Sequence, residues 1–116
     1  MISEQHPIIE KEALDALQTE IGSWSDVTFP TSTPETIIRH LKKEVEEMEE
    51  AHQGDKLFPH TNKELPHEIA DCIMLLLHLA HRKGVSARDA IREKFEICKN
   101  RKWGPPDEHG CVRHVE

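Results

Sequence analysis

Residues 64–84 read ELPHEIADCIMLLLHLAHRKG, and this stretch decides the fold class. Ile69, Cys72, Ile73, Leu76 and Leu79 recur at helical spacing and form one apolar stripe. Ala70, Met74 and Leu77 cover the other side. The pattern predicts a helix from about Lys63 to Lys83, with Pro66 tolerated in its first turn and Gly84 just past its end. A helix that is apolar nearly all round sits at the centre of a bundle or at a subunit interface.

The flanking segments give three more helices. Pro7 to Ile21 places Ile9, Ala13, Leu14, Leu17 and Ile21 on one face, and Gly22 reads as its stop. A Ser-, Thr- and Pro-rich loop carrying Trp24 and Phe29 follows. Ser32-Thr33-Pro34-Glu35 combines a hydroxyl cap, a proline just inside and an acid in the first turn, a strong start signal. That helix is expected to run to about Gln53 and stop at Gly54, with a loop, GDKLFPHTN, after it. Ser86 and Asp89 cap a last helix reaching about Trp103. No segment alternates as a strand does, and the tail, 104–116, reads as irregular. The expectation is one all-α domain over residues 1–116, a four-helix bundle of mostly antiparallel neighbours.

Twenty-two acidic residues against 15 basic ones give a formal net charge of −7, a poor match for a nucleic-acid backbone. A small phosphate ligand stays open, because a divalent cation bridges carboxylates to phosphates. No apolar run is long enough for a membrane span, and MISEQHPII lacks the pattern of a signal peptide. Three scattered cysteines, Cys72, Cys98 and Cys111, suit reduced thiols in a cytoplasm. Cys111 with His109 and His114 fits a polar tail better than half a zinc site.

Helical wheels then locate the acids. With Ile37 at zero, Leu41, Val45 and Met48 lie within about 80°, and Glu44 falls at about 340°, inside the apolar stripe. Glu47 and His40 lie beside it, at about 280° and about 300°. With Leu65 at zero, Glu68 falls at about 300°, between Leu75 and Leu79, and Asp71 at about 240°. Two helices thus each carry an acidic i, i+3 pair at or beside the core. Clustering four carboxylates raises their pKa values unless a hard cation sits among them, and Mg²⁺ or Mn²⁺ wants such oxygen ligands. Glu46, Glu49 and Glu50 read instead as a solvated charged face. On the last helix, with Ile91 at zero, Lys94 and Arg101 lie at about 300° and about 280°, flanking the face of Phe95 and Cys98. They read as a triphosphate clamp, against the alternative of snorkelling stems with wet heads.

The ordered segments EVEEMEEA, ELPHEIADCIMLLLHLA and KFEICKNRKW resemble the MazG-like superfamily of all-α nucleoside triphosphate pyrophosphohydrolases. Its ExxE and ExxD signature pairs match Glu44 with Glu47 and Glu68 with Asp71. More narrowly, Trp24, Thr28 and Phe29, then His40, Leu41 and Glu44, then Lys94, Arg101, Lys102 and Trp103 resemble the phage-type dATP/dGTP pyrophosphohydrolase branch, the MazZ-like proteins. The likeness spans about Trp24 to Val115. Departures are Lys43 before Glu44, Pro30 where the branch has Gly, and Cys98 where an Asn is expected.

The resemblance implies hydrolysis of a (deoxy)nucleoside triphosphate, dGTP or dATP, to the monophosphate and pyrophosphate, by a homodimer or homotetramer in a bacterial or phage-infected cytoplasm. Glu44, Glu47, Glu68 and Asp71 would hold Mg²⁺, or Mn²⁺, with Glu47 free to take a proton from water. Lys94 and Arg101 would meet the pyrophosphate. His40 has three roles open: phosphate contact, ligand orientation or packing. Trp24 reads as a base-stacking residue; Phe29 fits a stack or a lid over the bundle equally. His67, His78 and His81 read as structural or exposed. Two other classes compete. A ferritin-like di-iron protein would use Glu49-x-x-His52 and Glu64-x-x-His67, and a non-enzymatic helical interaction module would leave the acids solvated.

Overall fold

A computed structural model describes residues 2–57 and 64–115, and their side chains except those of 2–12 and 55. Four helices form: α1 Ile2–Thr28, α2 Pro34–Leu57, α3 Glu64–Arg82 and α4 Ala87–Lys99. The expected positions of Ile9 on the face of α1, of the connecting loop from 58 to 62, and of Lys63 lie outside the described residues. No helix among the described residues is long and apolar enough to cross a membrane.

Two glycines expected to stop helices do not. α1 continues through Gly22, and α2 through Gly54. Gly22 is buried where α1 meets α3, and a Cβ there would collide with the His81 ring. Its lack of a side chain lets the two helices approach, at a helix-propensity cost of about 1 kcal/mol. Trp24 therefore stands on the last turns of α1 rather than in a loop. The chain leaves the helix only at Phe29, the residue before Pro30, where proline disfavours helical geometry.

The caps at the other junctions follow the expected chemistry. Thr33 Oγ1 accepts from the Thr36 amide at 3.2 Å, and Thr36 Oγ1 accepts from the Thr33 amide at 2.8 Å, so the pair closes the N-terminal end of α2. Gly84, at φ +67°, ends α3: its amide donates to the His81 carbonyl, and the Val85 amide donates to that of Ala80. Ser86 caps α4 by accepting from the Asp89 amide. Gln18 bridges this corner, donating to the Val85 carbonyl at 2.7 Å and accepting from the Ala87 amide at 2.9 Å.

The tail corrects another expectation. α4 ends at Lys99, and the two-residue strands β1, Lys102–Trp103, and β2, His114–Val115, pair antiparallel. Pro105 and Pro106 prevent any continuation of the helix. Asp107 Oδ1 then accepts from the His109 and Cys111 amides, and Gly110, at φ +81°, completes the reversal.

α3 lies between α1 and α2 and runs antiparallel to each, while α4 touches α1. The four expected helices are present with antiparallel neighbours, but they do not close into a compact unit within one chain. The radius of gyration is 17.4 Å, against about 13 Å for a compact chain of this length. Ile37, Ala51, Cys72 and Leu77 are buried, yet Ile69, Ile73 and Leu76 on α3 and Ile91 and Phe95 on α4 are exposed.

Candidate active site

Antiparallel packing of α2 on α3 carries Glu44, from the middle of α2, against Glu68 and Asp71 in the first two turns of α3. One carboxylate oxygen of each lies within 4.8 Å of the other two. Glu44 Oε1 stands 3.1 Å from Nε2 of His40, one turn earlier and exposed. The second oxygens of Glu44 and Glu68 are buried and have no hydrogen-bond partner among the described residues. Leaving such atoms unpaired is costly. The Glu68 carboxyl is held above the ordinary glutamate range, first by desolvation, then by the charges of Glu47, Asp71 and Glu44. The Cys72 thiol is likewise pushed up, by burial first and then by Glu44, Asp71 and Glu68, so it stays protonated.

Three oxygen donors, two orphaned buried oxygens and excess negative charge fit a hard divalent cation. Glu47 is exposed and outside the trio, though close enough to raise Glu68. Neither Glu-x-x-His pair of the di-iron reading enters a cluster of metal-ligating type, since the trio is the one such group among the described residues.

A cavity of about 500 Å³ opens beside the carboxylates. His40, Glu44 and Asp71 line one end of it, and Met74, Leu75 and Ile37 its wall. Trp24 and Phe29 stand at the other end, packed edge to face with centroids 5.5 Å apart. Six of the nine residues singled out from the sequence as site residues thus gather here: Glu44, Glu68, Asp71, His40, Trp24 and Phe29. Glu47 borders them.

Lys94 and Arg101 are not brought to this cavity within one chain. Lys94 is exposed on α4, and Arg101 is half-buried with Nη1 3.4 Å from His114 Nδ1. Cys98 is half-buried, and the Cys98 carbonyl accepts from the Trp103 indole at 3.0 Å. Sequence reasoning missed Asp26 and His78, which meet at 3.0 Å, with His78 lining the cavity. The one available signal was spacing: His78 stands two turns beyond Asp71, on the same helix face.

Residues 17–116 match the dATP/dGTP pyrophosphohydrolase family. The chain is 33% identical over 102 residues to a dATP/dGTP diphosphohydrolase of cyanophage S-2L, covering 85% of each protein. It is 33% identical over 99 residues to a dATP/dGTP diphosphohydrolase of Salmonella phage PMBT28, covering 85% of this chain and 30% of that longer one. Its fold matches the cyanophage S-2L MazG-like pyrophosphohydrolase bound to dGDP and three catalytic Mn²⁺ ions per active site, with TM-score 0.69 and 30% identity. That match covers 89% of this chain and 97% of the other.

Proposed function

The chain belongs to the dATP/dGTP pyrophosphohydrolase family, and from that premise we propose that it converts dATP or dGTP to the monophosphate and pyrophosphate with Mg²⁺ or Mn²⁺ bound. The observation that carries this reading is the meeting of Glu44, Glu68 and Asp71, with two unpartnered buried oxygens, at one end of a cavity whose other end is aromatic. The interaction-module reading gives way to the enzymatic one.

Glu44, Glu68 and Asp71 would hold the cation, with Glu47 beside them. Bound there, it would screen phosphate charge and lower the pKa of an attacking water. Glu47, the carboxylate outside the trio, accepts that water's proton. The anhydride bond between the α- and β-phosphates breaks. Lys94 and Arg101 neutralise the charge left on pyrophosphate. Because α4 packs on α1 and leaves both cations away from their own carboxylates, we assign them to the site of a second copy. His40 orients Glu44 through their 3.1 Å contact and offers its exposed edge to a phosphate. Trp24 and Phe29 stack the base.

The exposed apolar faces of α3 and α4, which need a partner to leave water, support a homodimer or homotetramer. Light scattering at micromolar concentration should report an oligomer, and a stable monomer contradicts this. We assign the enzyme to the cytoplasm, consistent with three free cysteines.

The test is a panel of dNTPs and NTPs with Mg²⁺ and with Mn²⁺, reading pyrophosphate and monophosphate together. Purine deoxynucleotides should be turned over fastest. Release of pyrophosphate from none of them sinks the assignment.

A further inference from the structure

The cavity wall includes a polar residue that the carboxylate site does not use. His78 is 3% exposed and lines the cavity. Its Nε2 stands 3.0 Å from Asp26 Oδ1. Asp26 also holds Arg82 Nη1 at 3.2 Å and His81 Nε2 at 3.3 Å. Arg82 in turn donates to the Ser32 carbonyl. This cluster ties the end of α1, the turn before α2 and the end of α3 together behind the cavity wall.

The cluster decides which ring nitrogen is available. The His78 hydrogen bond, with help from Arg82 and His81, holds the Asp26 carboxyl below its usual value, so Asp26 is ionised at neutral pH. An ionised carboxylate only accepts, so Nε2 carries the hydrogen and donates to it. In the neutral ring Nδ1 then keeps its lone pair and can accept. Ring rotation is blocked, because turning the imidazole breaks the Asp26 bond. The acceptor therefore has a set position.

That position suits a nucleotide. His78 lies seven residues beyond Asp71, about 10 Å along α3. A phosphate held near Asp71 leaves room for a sugar before the base comes level with Trp24, Phe29 and His78. Stacking on the aromatic pair ignores base identity, whereas a fixed acceptor at the base edge does not.

We propose that His78, held by Asp26, reads the base: Nδ1 accepts a hydrogen bond from an edge N–H of a purine, the N6 amino group of adenine or N1–H of guanine. This rests on the pyrophosphohydrolase reading of the same cavity. It names a specificity-determining residue that serves both purines through one acceptor.

The test compares dATP with the triphosphate of unsubstituted deoxypurine, which lacks the amino group, on the wild-type oligomer and on His78→Phe. Wild type should favour dATP in kcat/KM by about tenfold or more, the scale of one buried polar group left unpaired. His78→Phe should bring the ratio close to one. A variant that lowers kcat/KM for both substrates by the same factor overturns the proposal, since a purely structural role has that signature.

A second measurement needs no variant and no turnover. The His78 Nδ1 resonance in ¹⁵N-labelled wild type should move upfield on addition of dAMP or dGMP, and stay in place with the monophosphate of unsubstituted deoxypurine. Equal movement with all three, or none, overturns the proposal. If wild type releases no pyrophosphate from any nucleotide, the function falls while the resonance still decides the base contact. If wild type is active and the ratio survives in His78→Phe, the base reading alone falls.

Discussion

Replacing Trp24 by Ala separates base binding from chemistry. Trp24 is 53% exposed at the cavity end opposite the carboxylates and meets Phe29 edge to face. Such a pair leaves a flat aromatic face available to a base. Losing one stacked base contact costs about 1–3 kcal/mol, which is about 5- to 150-fold in affinity. On the proposed assignment the reacting phosphates would lie beside Glu44 and Asp71, so the loss would fall on the ground state and the transition state alike. Trp24→Ala should therefore raise KM for dATP and dGTP by about that factor and leave kcat near wild type. The half-exposed indole contributes little to the core, and a thermal melt should confirm an intact fold. Steady-state kinetics at several Mg²⁺ concentrations provide the assay. An unchanged KM for every nucleotide, or a kcat that falls as far as kcat/KM, refutes the base-stacking role.

Glu44→Gln, Glu68→Gln and Asp71→Asn should each remove most activity; near-normal turnover in all three at saturating Mg²⁺ contradicts the metal assignment. Glu68 binds its proton more tightly in the folded protein than in the unfolded chain, where the reference value is 4.5, so metal-free protein should lose stability as pH rises from there through the raised range. Melts of Glu68→Gln should lack that loss, and divalent cation should restore the lost stability of wild type. Lys94→Ala and Arg101→Ala should lower kcat more than they raise KM, because their charge matters most as pyrophosphate leaves; weak binding with normal turnover at saturation reverses that role. Gly22→Ala should lower stability in urea melts, since overpacking against His81 costs about 1–3 kcal/mol and outweighs a helix-propensity gain of about 1 kcal/mol.

The carboxylate trio was legible because a helix repeats every 3.6 residues, which turns spacing into direction: Glu44 and Glu68 had to lie among apolar neighbours wherever the helices went. The capping signals at Thr33, Ser86 and Gly84 are local and were equally readable. Gly22 was misread because a glycine that ends a helix and one that admits a neighbouring helix look alike in one dimension; the His81 ring that distinguishes them is 59 positions away. Asp26 and His78 are 52 positions apart and meet only through the packing of α1 on α3. The ladder between 102–103 and 114–115 is too short to show alternation. The wheel took the last helix to Trp103, but α4 ends at Lys99, so Arg101 lies beyond it, and the packing of α4 on α1 does not bring Lys94 to the carboxylates within one chain.

The most direct test is ³¹P NMR of dGTP incubated with the enzyme and Mg²⁺. The resonances of dGTP should give way to those of dGMP and pyrophosphate alone, with conversion stopped by a chelator and by Glu68→Gln. Appearance of dGDP with inorganic phosphate, or undiminished conversion by Glu68→Gln, would contradict a pyrophosphohydrolase centre built on Glu44, Glu68 and Asp71.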